Sequence, residues 1–300
     1  MRRILTLLLV LMMALSLCAC GTTDADTAPA DDAAAQTDDA AEADASAAEG
    51  ERTVLRVANE CGYAPYNWAQ GDDSNGAVPI ADSSDFAYGY DVIMAKYICE
   101  QLGYDLEIVK LDWDALIPAL QSGTVDAVIA GQSITSDRLE VVDFTEPYYY
   151  ASIVTLARAD SDYANAQGLS DLAGASCTSQ LNTIWYDNCL PQIPDADIQT
   201  AQETVPAMLV ALRSGAIDLV VTDMPTAMAA TAVYDDLVLL DFTDTDDNFQ
   251  VSDEDINLGI SVQKGNTELL DALNSVLSTL TVDDFEKMMA EAISVQPLSE

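Results

Sequence analysis

From Thr53 onward, short apolar runs alternate with longer amphipathic stretches. "TVLRVAN" (53–59) alternates and is rich in β-branched residues, which predicts a strand. "GYDVIMAKYICEQLG" (89–103) has helical spacing, with Asp91 as a candidate N-cap and Gly103 as the stop. "DLEIVKL" (105–111) predicts a second strand, and "DWDALIPALQSG" a helix that ends at Gly123. "VDAVIAG" is continuously apolar, as a strand buried on both faces of a parallel sheet would be. The order is β-α-β-α-β, an α/β architecture with a mostly parallel sheet flanked by helices.

The second half repeats this less cleanly. "GASCTSQ" and "ADIQTA" predict short strands around a helix near 183–189, "TVPAMLVALRSG" a helix, and "IDLVVTD" and "DLVLLDF" strands. "INLGISVQKGN" is extended, and "TELLDALNSVLSTL" and "VDDFEKMMAEAI" close the chain as helices. One phrase occurs twice: "PALQSGTVDAVIAG" returns as "LVALRSGAIDLVVTD", with Gly131 falling on Asp223. Two α/β units can share a helix-Gly-strand phrase by chance. The alternative is one unit used once in each of two lobes, whose strand ends then face one cleft.

Composition narrows the function. The chain has 51 acidic and 11 basic residues, a net charge of −40, which excludes nucleic-acid and anionic-lipid surfaces as partners. It has no histidine, which removes the Ser-His and Cys-His nucleophile pairs and the commonest zinc ligand; no metal or cofactor is expected. "MRR", a short apolar run and "LCAC" predict an export signal. The ending resembles the lipobox of bacterial lipoproteins, with cleavage before Cys20 and lipid on that cysteine; ordinary secretory cleavage nearby is the alternative. Residues 21–52, nearly all Ala, Asp, Thr, Glu and Ser, predict a flexible, self-repelling tether. Cys61, Cys99, Cys177 and Cys189 would pair as 61–99 and 177–189, or remain thiols.

After Gly131, "QSITSDR" supplies the Ser133 hydroxyl and a turn into a helix capped by Thr135 or Ser136. Arg138 adds a planar fork that matches a carboxylate, or else forms a surface ion pair with Glu140 or Asp143. Asp223 ends an apolar run, where a carboxylate needs a partner. A ligand ammonium would serve, and so would the helix start at "PTAMAA", which it can cap. A carboxylate site and an ammonium site together describe a free α-amino acid.

These stretches, with "GYAPYNW" and "KGN", strongly resemble solute-binding protein family 3, the amino-acid-binding subunits of bacterial ABC importers, over residues 53 to 280. The resemblance implies a hinged two-lobe fold of the type II periplasmic-binding-protein kind. Residues 1–20 are then a lipoprotein signal, 21–52 a tether, 53–153 plus 258–300 the first lobe, and 154–257 the second. Arg138 would clamp the ligand carboxylate, assisted by Ser133 and the Ala130–Gly131 backbone, while Asp223 takes the ammonium. Thr183 lies where the family has a threonine at the mouth of the second lobe, although "NTI" replaces its usual Gly-Thr-Thr. Tyr63 would cover the ligand and Trp113 line its side-chain pocket, unless both are simple core. Glu60 would reach the side chain and favour lysine, arginine, histidine or glutamine. Residues 69–88 are longer than the family's usual link and would sit where side-chain specificity is set. The C-terminus lacks the family's usual "KWF"-type ending. The expected protein is a monomeric lipoprotein on the outer face of a bacterial membrane, by analogy a Gram-positive one. Its partners would be an ABC permease and ATPase, with no covalent chemistry of its own. A cyclohexadienyl dehydratase with Glu60 as acid, or a sensor working with a separate membrane protein, are the rivals.

Overall fold

The computed structural model describes residues 52–297, so the leader, Cys20 and the acidic stretch up to Glu51 lie outside the described residues. Two five-stranded sheets carry the fold. The first runs Asp105–Lys110, Val54–Asn59, Ala127–Val128, Ser261–Gln263, Val142–Phe144. The second runs Asp197–Ile198, Ser176–Thr178, Leu219–Asp223, Ile153–Arg158, Leu237–Leu240. In each, three neighbouring strands are parallel and the fourth is antiparallel to both of its neighbours. The twice-written phrase supplies the third strand of both sheets, Ala127–Val128 and Leu219–Asp223. All five residues of the second of these are buried, as expected for a central strand covered on both faces.

Helices cover the sheets. Tyr90–Leu102 and Leu116–Ser122 belong to the first, and Val205–Arg213 and Met224–Val233 to the second. Leu116–Ser122 stops at Gly123, in left-handed backbone that favours glycine. Its Pro118 is harmless, because the first turn of a helix leaves its N–H groups without intrahelical acceptors. Val205–Arg213 is capped by Thr204, whose side chain accepts from the Ala207 N–H. The chain passes between sheets beside a short antiparallel ladder, Tyr149–Tyr150 against Asn257–Leu258. Ile153, expected in the first lobe, begins a strand of the second sheet and lies opposite Asp223. Thr267–Leu277 and Val282–Val295 pack on Tyr90–Leu102, and the Gln296 side chain donates to the Ala229 carbonyl of the second lobe at 3.1 Å.

Several local expectations are corrected. Asp91 does not cap its helix. Gly89 does, at φ +123°, where a Cβ would lie 2.3 Å from the Tyr66 carbonyl oxygen. Residues near 183–189 form a π-helical turn, Trp185–Cys189, followed by a 3-10 turn, Leu190–Gln192, that contains Pro191. Proline has no N–H to extend the ladder, so a regular helix cannot run through it. All four described cysteines are buried free thiols, and the Cys61 thiol donates to Asn59 Oδ1 at 2.9 Å.

Candidate functional site

The two copies of the phrase end at one cleft. Gly131 follows the first copy's strand, and a Cβ there would lie 2.7 Å from Tyr63 Cε1. The Tyr63 hydroxyl donates to Asp223 Oδ2, at the end of the second copy. Asp223 also caps Met224–Val233: it accepts from the Thr226 N–H at 2.9 Å and the Thr226 hydroxyl at 3.2 Å. Both roles foreseen for this carboxylate are therefore compatible. Burial pushes its pKa up, against the bonds that favour the ionised form.

Across the cleft, Thr135 caps the short Ser136–Leu139 helix, accepting from the Arg138 N–H. Among the described residues Arg138 forms no ion pair; Asp143 pairs with Lys264 instead, at 2.7 Å. The Arg138 guanidinium lies 5.5 Å above the Trp113 ring. It donates to the Ser133 carbonyl at 2.9 Å and to the Asn182 carbonyl, on the other lobe, at 3.1 Å. Among the described residues no carboxylate lies within ion-pair distance of it. Burial lowers its pKa to about 10, so it stays charged.

A nearly closed cavity of about 10 Å³ brings together Tyr63, Trp113, Gly131, Ser133, Arg138 and Thr183 of the expected residues. Gln180, Ile184 and Trp185 complete its wall; none of these three is marked by the sequence reading, although Gln180 follows a strand's carboxyl end and so carried the usual positional signal. Thr183 spends its hydroxyl locally, donating to the Gln180 carbonyl at 2.7 Å. Ala130 is buried and does not line this cavity, and Asp223 lies beyond Tyr63. Beneath, the Gly131 N–H donates to the Tyr148 hydroxyl at 2.8 Å, which donates to Asp91 at 2.6 Å; Asn67 donates to the other Asp91 oxygen at 2.7 Å. This buried chain fixes the backbone at Gly131. Burial holds Asp91 up at about 6 despite those donors.

Glu60 is not in that cavity. It lines a second, larger one of about 470 Å³ that shares Trp113 with the first, together with Lys110, Asp112, Asp114 and Glu203. Residues 71–88 line neither cavity. The long 69–88 segment, expected where side-chain specificity is set, lies beside the first sheet. It joins Gly62–Tyr63 and Asn67–Gln70 in a small antiparallel sheet, and Ile80 bridges to Ile108 at the edge of the first large sheet. Its apolar anchors, the Trp68–Tyr88 ring pair at 5.5 Å among them, hold it against the body.

Both lobes meet across the cleft. Besides the Tyr63 and Arg138 contacts, Asn182 donates to Asp114 at 2.7 Å and Gln180 donates to Glu60 at 3.3 Å. Among the described residues no helix is long and apolar enough to cross a membrane.

Comparison with known proteins agrees with this architecture. The chain is 29% identical to a probable histidine-binding protein of Campylobacter jejuni over 238 residues, covering 79% of this chain and 80% of that one. A crystal structure of an amino acid ABC transporter substrate-binding protein from Streptococcus pneumoniae, bound to L-arginine, superposes with a TM-score of 0.69 at 27% identity, covering 80% of this chain and 94% of that one. The ancestral amino acid-binding protein AncCDT-1, a precursor of cyclohexadienyl dehydratase, superposes at 0.65 and 29% identity, over 80% of this chain and 95% of its own. A two-lobe, type II binding-protein fold, the duplicated strand ends at its cleft, and a match of the family model to residues 55–292 lead to one assignment: the chain belongs to the bacterial extracellular solute-binding proteins, family 3.

Proposed function

We propose that this protein is the substrate-binding component of an ABC importer and captures a free L-amino acid with a cationic side chain between its lobes. The observation that carries the reading is the pair Arg138 and Asp223. One is a guanidinium with no carboxylate within ion-pair distance among the described residues, although Asp187 acts on it from farther off; the other is a buried carboxylate that receives a hydroxyl across the cleft. In this reading Arg138 takes the ligand carboxylate, helped by Ser133 and the backbone at Ala130 and Gly131. Asp223 takes the ammonium, with the Tyr63 hydroxyl standing in for one of its N–H donors. Tyr63 and Trp113 flank the ligand, Thr183 closes the mouth, and Glu60 with its acidic neighbours favours a positive side chain. Binding then works by population shift, because only the closed form lets a ligand touch both lobes.

The C. jejuni relative's name and the arginine-bound neighbour support a basic ligand, as does the acid-lined cavity. The permease and ATPase as partners, a lipid on Cys20, a monomeric state and an extracytoplasmic, Gram-positive setting belong to the same reading. Calorimetric titration tests it. L-Arginine is expected to bind, while argininamide and Nα-acetyl-arginine lose about 30-fold or more, since each leaves Arg138 or Asp223 buried without its partner. Equal binding of all three would overturn it. An enzymatic reading has one observation in its favour, the buried Glu60, which burial pushes to about 7. Consumption of prephenate or arogenate would establish that reading; unchanged substrate supports a binder.

A further inference from the structure

Among the described residues, Glu60 is the one buried acid lining these cavities with an oxygen that has no hydrogen-bond partner. It is 7% exposed, and its Oε2 accepts from Gln180 at 3.3 Å, while its Oε1 has no partner among the described residues. A buried carboxylate oxygen without a donor is costly. The groups around it do not remove that cost. Asp91 lies on the Tyr90–Leu102 helix, Asp112 and Asp114 flank Trp113, and Glu203 faces from the second lobe. The Cys61 thiol, next in the chain, is held up at about 12 by burial and stays neutral. Among the described residues Lys110 is the only cation lining the cavity, and it is exposed. Burial and the charges of Asp91 and Asp112 hold Glu60 at about 7, against the opposing pull of Gln180 and Lys110. Near neutrality it therefore carries a proton much of the time.

Resting on the proposed function, we infer that Glu60 exchanges its proton for the cationic end of the ligand. The side chain enters between Asp112 and Glu203 and reaches the bare oxygen. The Glu60 O–H bond breaks, its electron pair stays on the carboxylate, and the proton leaves through the open cavity to water. Capture of a basic amino acid is thus coupled to proton release, and capture of a neutral one is not. The coupling also runs backwards: acidification of the medium returns the proton and weakens the hold on the ligand.

Titration calorimetry of the protein with L-arginine and with L-glutamine, each in two buffers of different ionisation enthalpy at about pH 6, counts the protons released. Glutamine sets the baseline, because Asp223 meets the ammonium of every amino acid. Arginine is expected to release nearly one proton more than glutamine. Its affinity should rise up to about tenfold per pH unit from pH 5 to 7 and level off above 8. Glu60→Gln should remove the excess proton and flatten the profile while melting cooperatively. Arginine binding with no excess proton, or with the excess retained in Glu60→Gln, would overturn the coupling and leave the binding function standing. Failure of arginine, lysine and histidine alike to bind at any pH would overturn both.

Discussion

Glu60 also leaves a mark on stability. Its folded pKa, about 7, lies above the 4.5 of the free group. Between those values the folded protein keeps a proton that the unfolded chain has lost, so stability falls as pH rises through that window and stays low above it. Glu60→Gln removes the penalty. It should stabilise the protein by up to about 3 kcal/mol at pH 8 and by nothing below about pH 4.5. Thermal melts across pH check this; an offset equal at every pH would contradict it. The residues that reason from chemistry alone were the ones visible in the sequence. Arg138 stood out as a cation in an acidic chain, and Asp223 as a carboxylate ending an apolar run. The Tyr63–Asp223 bond was not visible, because it joins residues 160 apart and exists only where the lobes meet. Trp185, in a π-helical turn, was missed for the same reason, while Gln180 carried only the positional signal of a residue just after a strand's carboxyl end.

At the scale of elements, periodicity located the main strands and helices, and the duplicated phrase identified the third strand of each sheet. What it could not supply were boundaries set by long-range contact. Asp91 has an N-cap's chemistry, yet its side chain turns inward to Asn67 and Tyr148, and the cap falls to Gly89 because the chain crosses Tyr66 there. Gly89→Ala places a methyl into the Tyr66 backbone at φ +123° and is expected to cost about 2–4 kcal/mol in urea unfolding. Thr281→Ala, which breaks the capping box with Asp284 at the start of Val282–Val295, should cost only about 1 kcal/mol. A Gly89→Ala protein as stable as the parent would show that the crossing can relax. The 69–88 segment was legible as an addition but not in its place, since only pairing with Asn67–Gln70 and the Ile80–Ile108 bridge carries it to the sheet edge.

For the whole molecule, the two sheets share one strand order and bring the carboxyl ends of their third strands to a common cleft. The chain as a whole carries a net charge of −40. Such a field attracts cations and is screened by salt. The association rate of L-arginine should therefore fall several-fold between about 10 mM and about 500 mM sodium chloride, while that of neutral L-glutamine barely changes. Stopped-flow tryptophan fluorescence separates the two, because Trp113 and Trp185 both line the cavity. Equal salt dependence for both ligands would mean that the acidic surface plays no part in capture.

The most direct test of the account is a thermal-shift panel of the twenty amino acids on the parent protein and on Arg138→Ala. The account predicts that arginine or another basic amino acid raises the melting midpoint of the parent and leaves that of Arg138→Ala unmoved. A panel in which no amino acid shifts the parent, or in which the same one shifts both proteins equally, would contradict it.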